Sequence, residues 1–572
     1  MRRHNRLGGG TGLAQTLLLA CCAACLPAAG ANAAPRLVLQ ITVDALRGDM
    51  VQRQEHNMGQ DGFRYLLRQG VYYSNANYQH SNTETVVGHS SLATGTTPAL
   101  HGMVGNVWFD KDAGRLIYNV EDDRYHLLSD NADVDKSSEI DPTQRVALAD
   151  GRSPRALLTS TFSDELAYAT NGQAKIFAVS VKDRGAIPMA GQTGKAFWFS
   201  KSGGTFITSN YYYPRYPQWV VEWNNSDPLA RYGGQSWELL KPAADYEFAG
   251  YDDQAWETNF PGFGRTFPHP WGSREDKYFT TRLTLGPAGD QLTLDFAKAL
   301  VEHEQLGQDA VPDFLSISFS SNDYVNHVFG PSSLEAEDVL LHLDRTLAEL
   351  FSYIDESVGL QHTLIVLSAD HGAPDAPPYL NARGDQNAHY YDMQQCLEQV
   401  AAGLAQGRFG KVQGLLGQYF HPYIYLDQAV ISQAQLDSAE VATAVAALAE
   451  QCEGVSAAIT SADTRYAPLR NPVVESRVWN NYNARRSGDI YLVLDSNVFV
   501  NDFDGLVVAT THGSPWNYDT FVPIFFSGPA IGPETVTRPV TPYDIAATLS
   551  ARLGIKPPSG SVGNPLPEVL EH

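Results

Sequence analysis

Basic residues and cysteines are both scarce in this chain. Lys and Arg number 40 against 64 Asp and Glu, a formal charge of -24 over 572 residues. A chain this acidic does not hold nucleic acid or another polyanion through its bulk field. Any phosphate it handles must be gripped locally, by metal or by a few placed cations. Of the five cysteines, Cys21, Cys22 and Cys25 lie near the N-terminus. That leaves Cys396 and Cys452, hence at most one intrachain bridge; an oxidising compartment permits them to pair, and the sequence leaves open whether they do. Apolar runs of membrane-spanning length are missing as well. The run from Leu13 to Ala29 falls short of the roughly 20 residues a span needs and is broken by Gln15 and Pro27. No internal repeat, coiled-coil heptad or low-complexity tract occurs, which excludes solenoid and fibrous architectures.

What the N-terminus does contain is Arg2, Arg3 and Arg6, the apolar run, and then Ala31-Asn32-Ala33. This is the pattern of a secretory signal peptide, residues 1–33, cleaved after Ala33. The mature chain, 34–572, is expected in the periplasm or outside the cell, without a transmembrane segment. Leu18-Leu19-Ala20-Cys21 resembles a bacterial lipoprotein cleavage site, so lipid anchoring is the less favoured alternative.

Several apolar, β-branched-rich runs lack polar alternation: Leu37 to Val43, Ile176 to Val181, Phe314 to Phe319, Leu364 to Ser368 and Phe521 to Phe526. Continuous apolar strands predict a sheet buried on both faces, hence mostly parallel and flanked by helices. Leu334 to Ile354 reads as an amphipathic helix, with Ser332-x-x-Glu335 as its capping box. The fold class is therefore α/β, with ligands bound at the carboxyl ends of the strands. Two stretches interrupt it. Residues 186–290, crowded with aromatics, Gly and Pro, predict a cap insertion over the site. Residues 373–500 predict a second insertion with its own helix at Ser438 to Cys452 and extra strands. The whole mature chain reads as one decorated domain.

Metal-type side chains fall just past those strands. Asp44 follows the first; Asp323 and His327 follow the third with i, i+4 spacing, which puts both on one helical face; Asp370 and His371 follow the fourth. His512 precedes the last. Alone, an Asp-x-x-x-His is more often a surface pair, and an Asp-His-Gly more often a turn. Together the six donors suffice for two zinc ions, each with three or four protein ligands and an open position. A hydroxyl nucleophile belongs among them, and Thr85 begins the helical segment Val86 to Gly95, where metal and helix N-terminus can both help an anion. The bland alternative is that Thr85 only caps that helix. Lys182 and Arg184 sit two apart, on one side of an extended segment, or else form a solvated loop charge run. His89, His101, His269, His389 and His421 read as core or surface histidines.

The order Asp44, Thr85, Asp323-x-x-x-His327, Asp370-His371-Gly372, His512 resembles the alkaline phosphatase superfamily. The Thr85 setting, Gly102 to Asn106, Val181-Lys182-Asp183-Arg184-Gly185 and the tail Thr541 to Leu549 are similar to its PafA-type phosphate monoesterases, near the nucleotide pyrophosphatase/phosphodiesterase branch. The resemblance implies an alkaline phosphatase-like sandwich and two Zn2+ ions. Asp323, His327 and His512 would hold one ion, and Asp44, Asp370 and His371 the other, which also ionises Thr85. Asn106, Lys182 and Arg184 would contact the phosphoryl oxygens, and the extra charge of a monoester dianion suits that lysine and arginine. It further implies a phospho-threonine intermediate and small-molecule phosphate monoesters as substrates. The acidic charge leads us to expect no nucleic acid partner, and a monomer is the expectation where the sequence itself does not reveal oligomeric state. The alternatives are a phosphodiesterase or nucleotide pyrophosphatase on the same scaffold, or a silent binding protein.

Overall fold

Leu37, Leu39 and Ile41 point into one hydrophobic core while Val38 points into another, with no exposure on either side. The same holds across the neighbouring strands, so the uninterrupted apolar runs do mark a sheet covered on both faces. The computed structural model describes residues 34–461, 471–503 and 506–570; the predicted signal peptide lies outside the described residues.

The main sheet has nine strands: β1 (Leu37–Val43), β2 (Gly70–Asn77), β3 (Ile176–Ser180), β4 (Lys195–Ser200), β5 (Thr205–Ile207), β6 (Asp313–Phe319), β7 (Thr363–Ser368), β12 (Phe521–Ser527) and β13 (Glu534–Val536). Between β7 and β12 the chain makes a separate four-stranded sheet from β8 (Leu416–Phe420), β9 (Tyr423–Leu426), β10 (Val455–Thr460) and β11 (Ile490–Leu494). The main sheet runs β13-β2-β12-β7-β1-β6-β3-β4-β5. Its centre, β7, β1, β6, β3 and β4, is parallel, so the carboxyl ends of these strands share one edge. One prediction needs correction: β12 pairs antiparallel with both β7 and β2 despite its unbroken apolar run. Burial on both faces makes that run apolar and says nothing about strand direction.

Four helices bear on the site: α1 (Thr85–Thr94), α2 (Asp183–Ala190), α3 (Ser321–Phe329) and α4 (Leu334–Ser357). The cap of α4 is Ser333, whose side chain accepts from Ala336 N–H, and not the predicted Ser332 box. Ser332 Oγ instead bonds Asp375 at 2.6 Å.

The predicted cap at 186–290 begins inside the framework, because α2 runs to Ala190 and β4 and β5 extend the main sheet. The aromatics there are edge-strand and core residues. Phe197 packs on Phe296 and Trp219 at ring centroids 5.3 and 5.9 Å apart, and Trp237 Nε1 donates to Asp338 at 2.6 Å. Aromatic enrichment here reflects β propensity and core packing. The 373–500 region does carry its own sheet and apolar core, with a helix at Ser438–Ala449. A Cys396–Cys452 disulfide ties it together.

Candidate active site

The parallel centre delivers its loops to one place. Asp44 leaves β1, Lys182 and Arg184 leave β3, α3 leaves β6 with Asp323 and His327 one turn apart, and Asp370-His371 leave β7. The chain returns before β12 to add His512. Two clusters of potential ligand atoms result, Asp323/His327/His512 and Asp44/Asp323/His371, so the Asp323 carboxylate belongs to both. Asp370 Oδ2 stands 3.5 Å from His371 Nε2, and 3.2 Å from His89 Nδ1.

Backbone carbonyls fix the three rings. His327 Nδ1 lies 2.9 Å from Thr510 O, His371 Nδ1 2.8 Å from Gly372 O and His512 Nδ1 2.7 Å from Thr83 O. A carbonyl oxygen only accepts, so each Nδ1 carries a proton and each Nε2 turns to the cluster. His327 Nε2 and His512 Nε2 are 3.4 and 3.5 Å from Asp323 Oδ1, and His371 Nε2 is 3.4 Å from Asp44 Oδ1. Two donors on one tetrahedral zinc, each at about 2.0–2.2 Å, stand about 3.3–3.6 Å apart. These separations therefore fit a shared cation. Asp44 Oδ1, Asp323 Oδ1, His371 Nε2 and Thr85 Oγ are all buried with no hydrogen-bond partner. Left so, each costs about 1–3 kcal/mol.

The field draws positive charge. Burial opposes protonation of His371, yet Asp370 and Asp44 raise its pKa to about 10. Burial likewise opposes ionisation of Asp323, yet Lys182 brings it down to about 2. Lys182 is wholly buried, its Nζ 2.7 Å from Asp44 and 2.5 Å from Asp323.

Thr85 is the first residue of α1, fully buried. It caps nothing: the cap position is Glu84, and the capping alternative for Thr85 falls away. Asn106 Oδ1 accepts from Val86 N–H at 3.1 Å, which commits the amide oxygen and leaves its NH2 as a donor at the cavity it lines. Lys182 and Arg184 do not share an extended segment. Lys182 is the cap position of α2 and Arg184 lies in its first turn, so two helix N-termini add to the anion-attracting field. Arg184 Nη1 pairs with Asp141 at 2.7 Å, and its Nε is buried without a partner.

Three participants escape a reading by motif. Glu84 Oε2 accepts from Asn106 N–H at 2.5 Å and Asn82 Nδ2 at 3.3 Å, and burial raises its pKa to about 7. His89 bonds Thr85 O at 2.8 Å and Ser318 Oγ at 2.9 Å, so it packs α1 as expected of a core histidine while also facing Asp370. Asp141 precedes Pro142 and caps a short turn, a visible local signal that does not disclose Arg184.

Residues 38–515 match the type I phosphodiesterase / nucleotide pyrophosphatase family. The chain belongs to that family. Within reach of this phosphodiesterase-family chain are alkaline phosphatases. It is 33% identical over 542 residues, 94% of each chain, to alkaline phosphatase PhoV of Synechococcus elongatus. It is 34% identical over 547 residues, again 94% of each, to alkaline phosphatase PafA of Elizabethkingia meningoseptica. A Myroides odoratus protein named calcium-transporting ATPase is 34% identical over 544 residues, 94% of this chain and 95% of that one. A PafA crystal structure superposes with a TM-score of 0.84 at 31% identity, covering 94% of this chain and 99% of that one. That PafA is a variant substituted at one threonine, one asparagine, one lysine and one arginine, with the sequence spacings of Thr85 to Asn106 and Lys182 to Arg184 here. On these relatives, this family member is a phosphoric monoester hydrolase of the alkaline phosphatase type.

Proposed function

We propose that this phosphatase is an exported two-zinc enzyme that hydrolyses phosphate monoesters through a phospho-Thr85 intermediate. The observation that carries the reading is the set of three histidines tied to main-chain carbonyls by Nδ1, with Nε2 facing carboxylate oxygens at 3.4–3.5 Å, beside a buried threonine hydroxyl with no partner. Asp323, His327 and His512 would hold one ion. Asp44 and His371, with Asp370 beside them, would hold the other, Asp323 lying between the two. Bound there, two zinc ions supply Lewis-acid stabilisation of the attacking and leaving oxygens.

The chain's own groups do the rest. Thr85 Oγ forms the bond to phosphorus as the ester bond breaks, and water then cleaves the phospho-threonine, giving net retention. Equatorial oxygens carry the charge in such a transfer and need donors of their own. Asn106 and Arg184 both line the cavity that opens onto the histidines, and would supply those donors. Asp323 and Asp44 hold the Lys182 ammonium protonated far above neutrality against the cost of burial, so it remains a cation throughout.

The substitutions in the PafA variant support the roles of the matching four residues here. No described helix is long and apolar enough to cross a membrane. Metal analysis should return two zinc per chain. Acid-quenched turnover should leave phosphate on Thr85, detectable by peptide mass spectrometry. An aryl monoester should be cleaved faster than its methyl diester; the reverse order would assign the chain to the diesterase branch.

A further inference from the structure

The cavity beside the ligand histidines bears on the other half of the substrate. Its volume is about 340 Å³, and it opens onto Asp323, His327 and His512. Leu285, Val328, Tyr419, Phe420, Phe499 and Val508 are among its apolar lining residues. Of the predicted cap, 186–290, Leu285 is the sole contributor among the described residues. Arg184 is the one Lys or Arg among the lining residues, and it is already paired with Asp141. Burial lowers the pKa of His421 to about 4, so that ring is neutral at pH 7.

Such a wall offers a second phosphate or carboxylate no Lys or Arg beyond the one that Asp141 already pairs, and it rewards apolar surface. Benzene fits an apolar cavity of about 150 Å³, so this one has room for a ring together with a phosphoryl group. Resting on the monoesterase reading above, the geometry points to phosphate monoesters of uncharged alcohols that carry an aromatic ring close to the ester oxygen as the preferred substrates. The ring lies against Tyr419 and Phe420 while the leaving oxygen faces His327 and His512. Hydrolysis consumes one water, the ester oxygen departs with a proton as the free alcohol, and inorganic phosphate is released.

The test compares kcat/KM of the zinc-loaded full chain for benzyl phosphate and ethyl phosphate, whose alcohols are similarly basic, so that intrinsic reactivity nearly cancels. Benzyl phosphate should be favoured by about tenfold or more, the discrimination expected when a buried apolar group is gained. The benzyl-to-ethyl ratio should fall in Phe420→Leu and further in Phe420→Ala. Binding gives a second readout: by calorimetry on Thr85→Ala, phenylphosphonate should bind at least about tenfold more tightly than methylphosphonate. Equal rates for the two esters, with turnover intact, would overturn the aromatic preference and leave the phosphatase reading standing. A ratio unmoved in both Phe420 variants would overturn the placement of the ring. Failure to cleave either ester would remove both readings.

Discussion

Replacing Asp141 by Asn tests whether Arg184 is held in place for the phosphoryl group. The change keeps the shape, and its side-chain oxygen still accepts from Thr143 N–H, now at 2.9 Å. What disappears is the charge opposite Arg184, 2.7 Å away at its nearest. Arg184 is buried, and burial penalises its charge while Asp141 and Tyr118 sustain it. Close charge pairs couple by about 1.5 kcal/mol or more. If that energy orients the guanidinium toward a doubly charged phosphoryl group, kcat/KM for an aryl monoester should fall about ten- to hundredfold. A methyl aryl diester lacks the extra charge, and its rate should fall about threefold or less. The assay is therefore the monoester-to-diester ratio, alongside thermal denaturation to measure the cost of leaving a buried charge unpaired. Equal losses on both substrates would show a merely structural pair and refute the reasoning, as would an unchanged ratio.

Chelation should abolish turnover and lower the melting temperature, and zinc should restore both; His512→Ala should bind fewer than two zinc by elemental analysis. In Gly88→Ala the new Cβ would lie 2.1 Å from the Asp370 carbonyl oxygen. Because both partners there are backbone, α1 must shift away from Asp370, and activity should drop at least about tenfold, with destabilisation of about 1–3 kcal/mol by denaturant titration. Removing the disulfide in Cys396→Ser/Cys452→Ser should cost about 4 kcal/mol by loop-closure entropy, with activity at 25 °C retained; an intact-protein thiol count of two would show that the bridge does not form. Burial beside Glu335 raises Glu257 to about 9, above an unfolded carboxylate near 4.3. Folding thus takes up a proton: this contribution is complete below about pH 4 and is lost as pH climbs through about 9. Glu257→Gln should accordingly gain melting temperature relative to wild type between pH 5 and pH 9, and parallel curves would count against a buried, protonated Glu257.

Strand ends, and the carboxylates and imidazoles that follow them, were legible in the sequence because they are set locally. A two-sided burial pattern marks β1, β6 and β7, and the next residues must sit at the sheet edge where Asp44, Asp323 and Asp370 are found. Direction of pairing is a non-local property, so β12 could not be distinguished from its parallel neighbours. Lys182 and Arg184 were associated correctly, but on the wrong local geometry, since the turn from β3 into α2 carries no strong capping residue. Asp141 and Glu84 act through partners distant in sequence or through a backbone N–H, neither of which leaves a spacing to detect. The aromatic-rich 186–290 stretch misled for a related reason: the same side chains that would line a pocket also fill a core, and composition does not separate the two.

The β8–β9 hairpin contributes Tyr419, Phe420 and His421 to the cavity, yet it belongs to a separate sheet, while Thr85 and the six candidate ligand residues lie in connections of the nine-stranded sheet. The wall of the cavity is thereby shared between two parts of the chain, the hairpin and the framework residues Leu285, Tyr324 and Val328. The separation is incomplete, because Tyr423 and Tyr425 of that hairpin share a core with Val86 and Val87, the residues that follow Thr85.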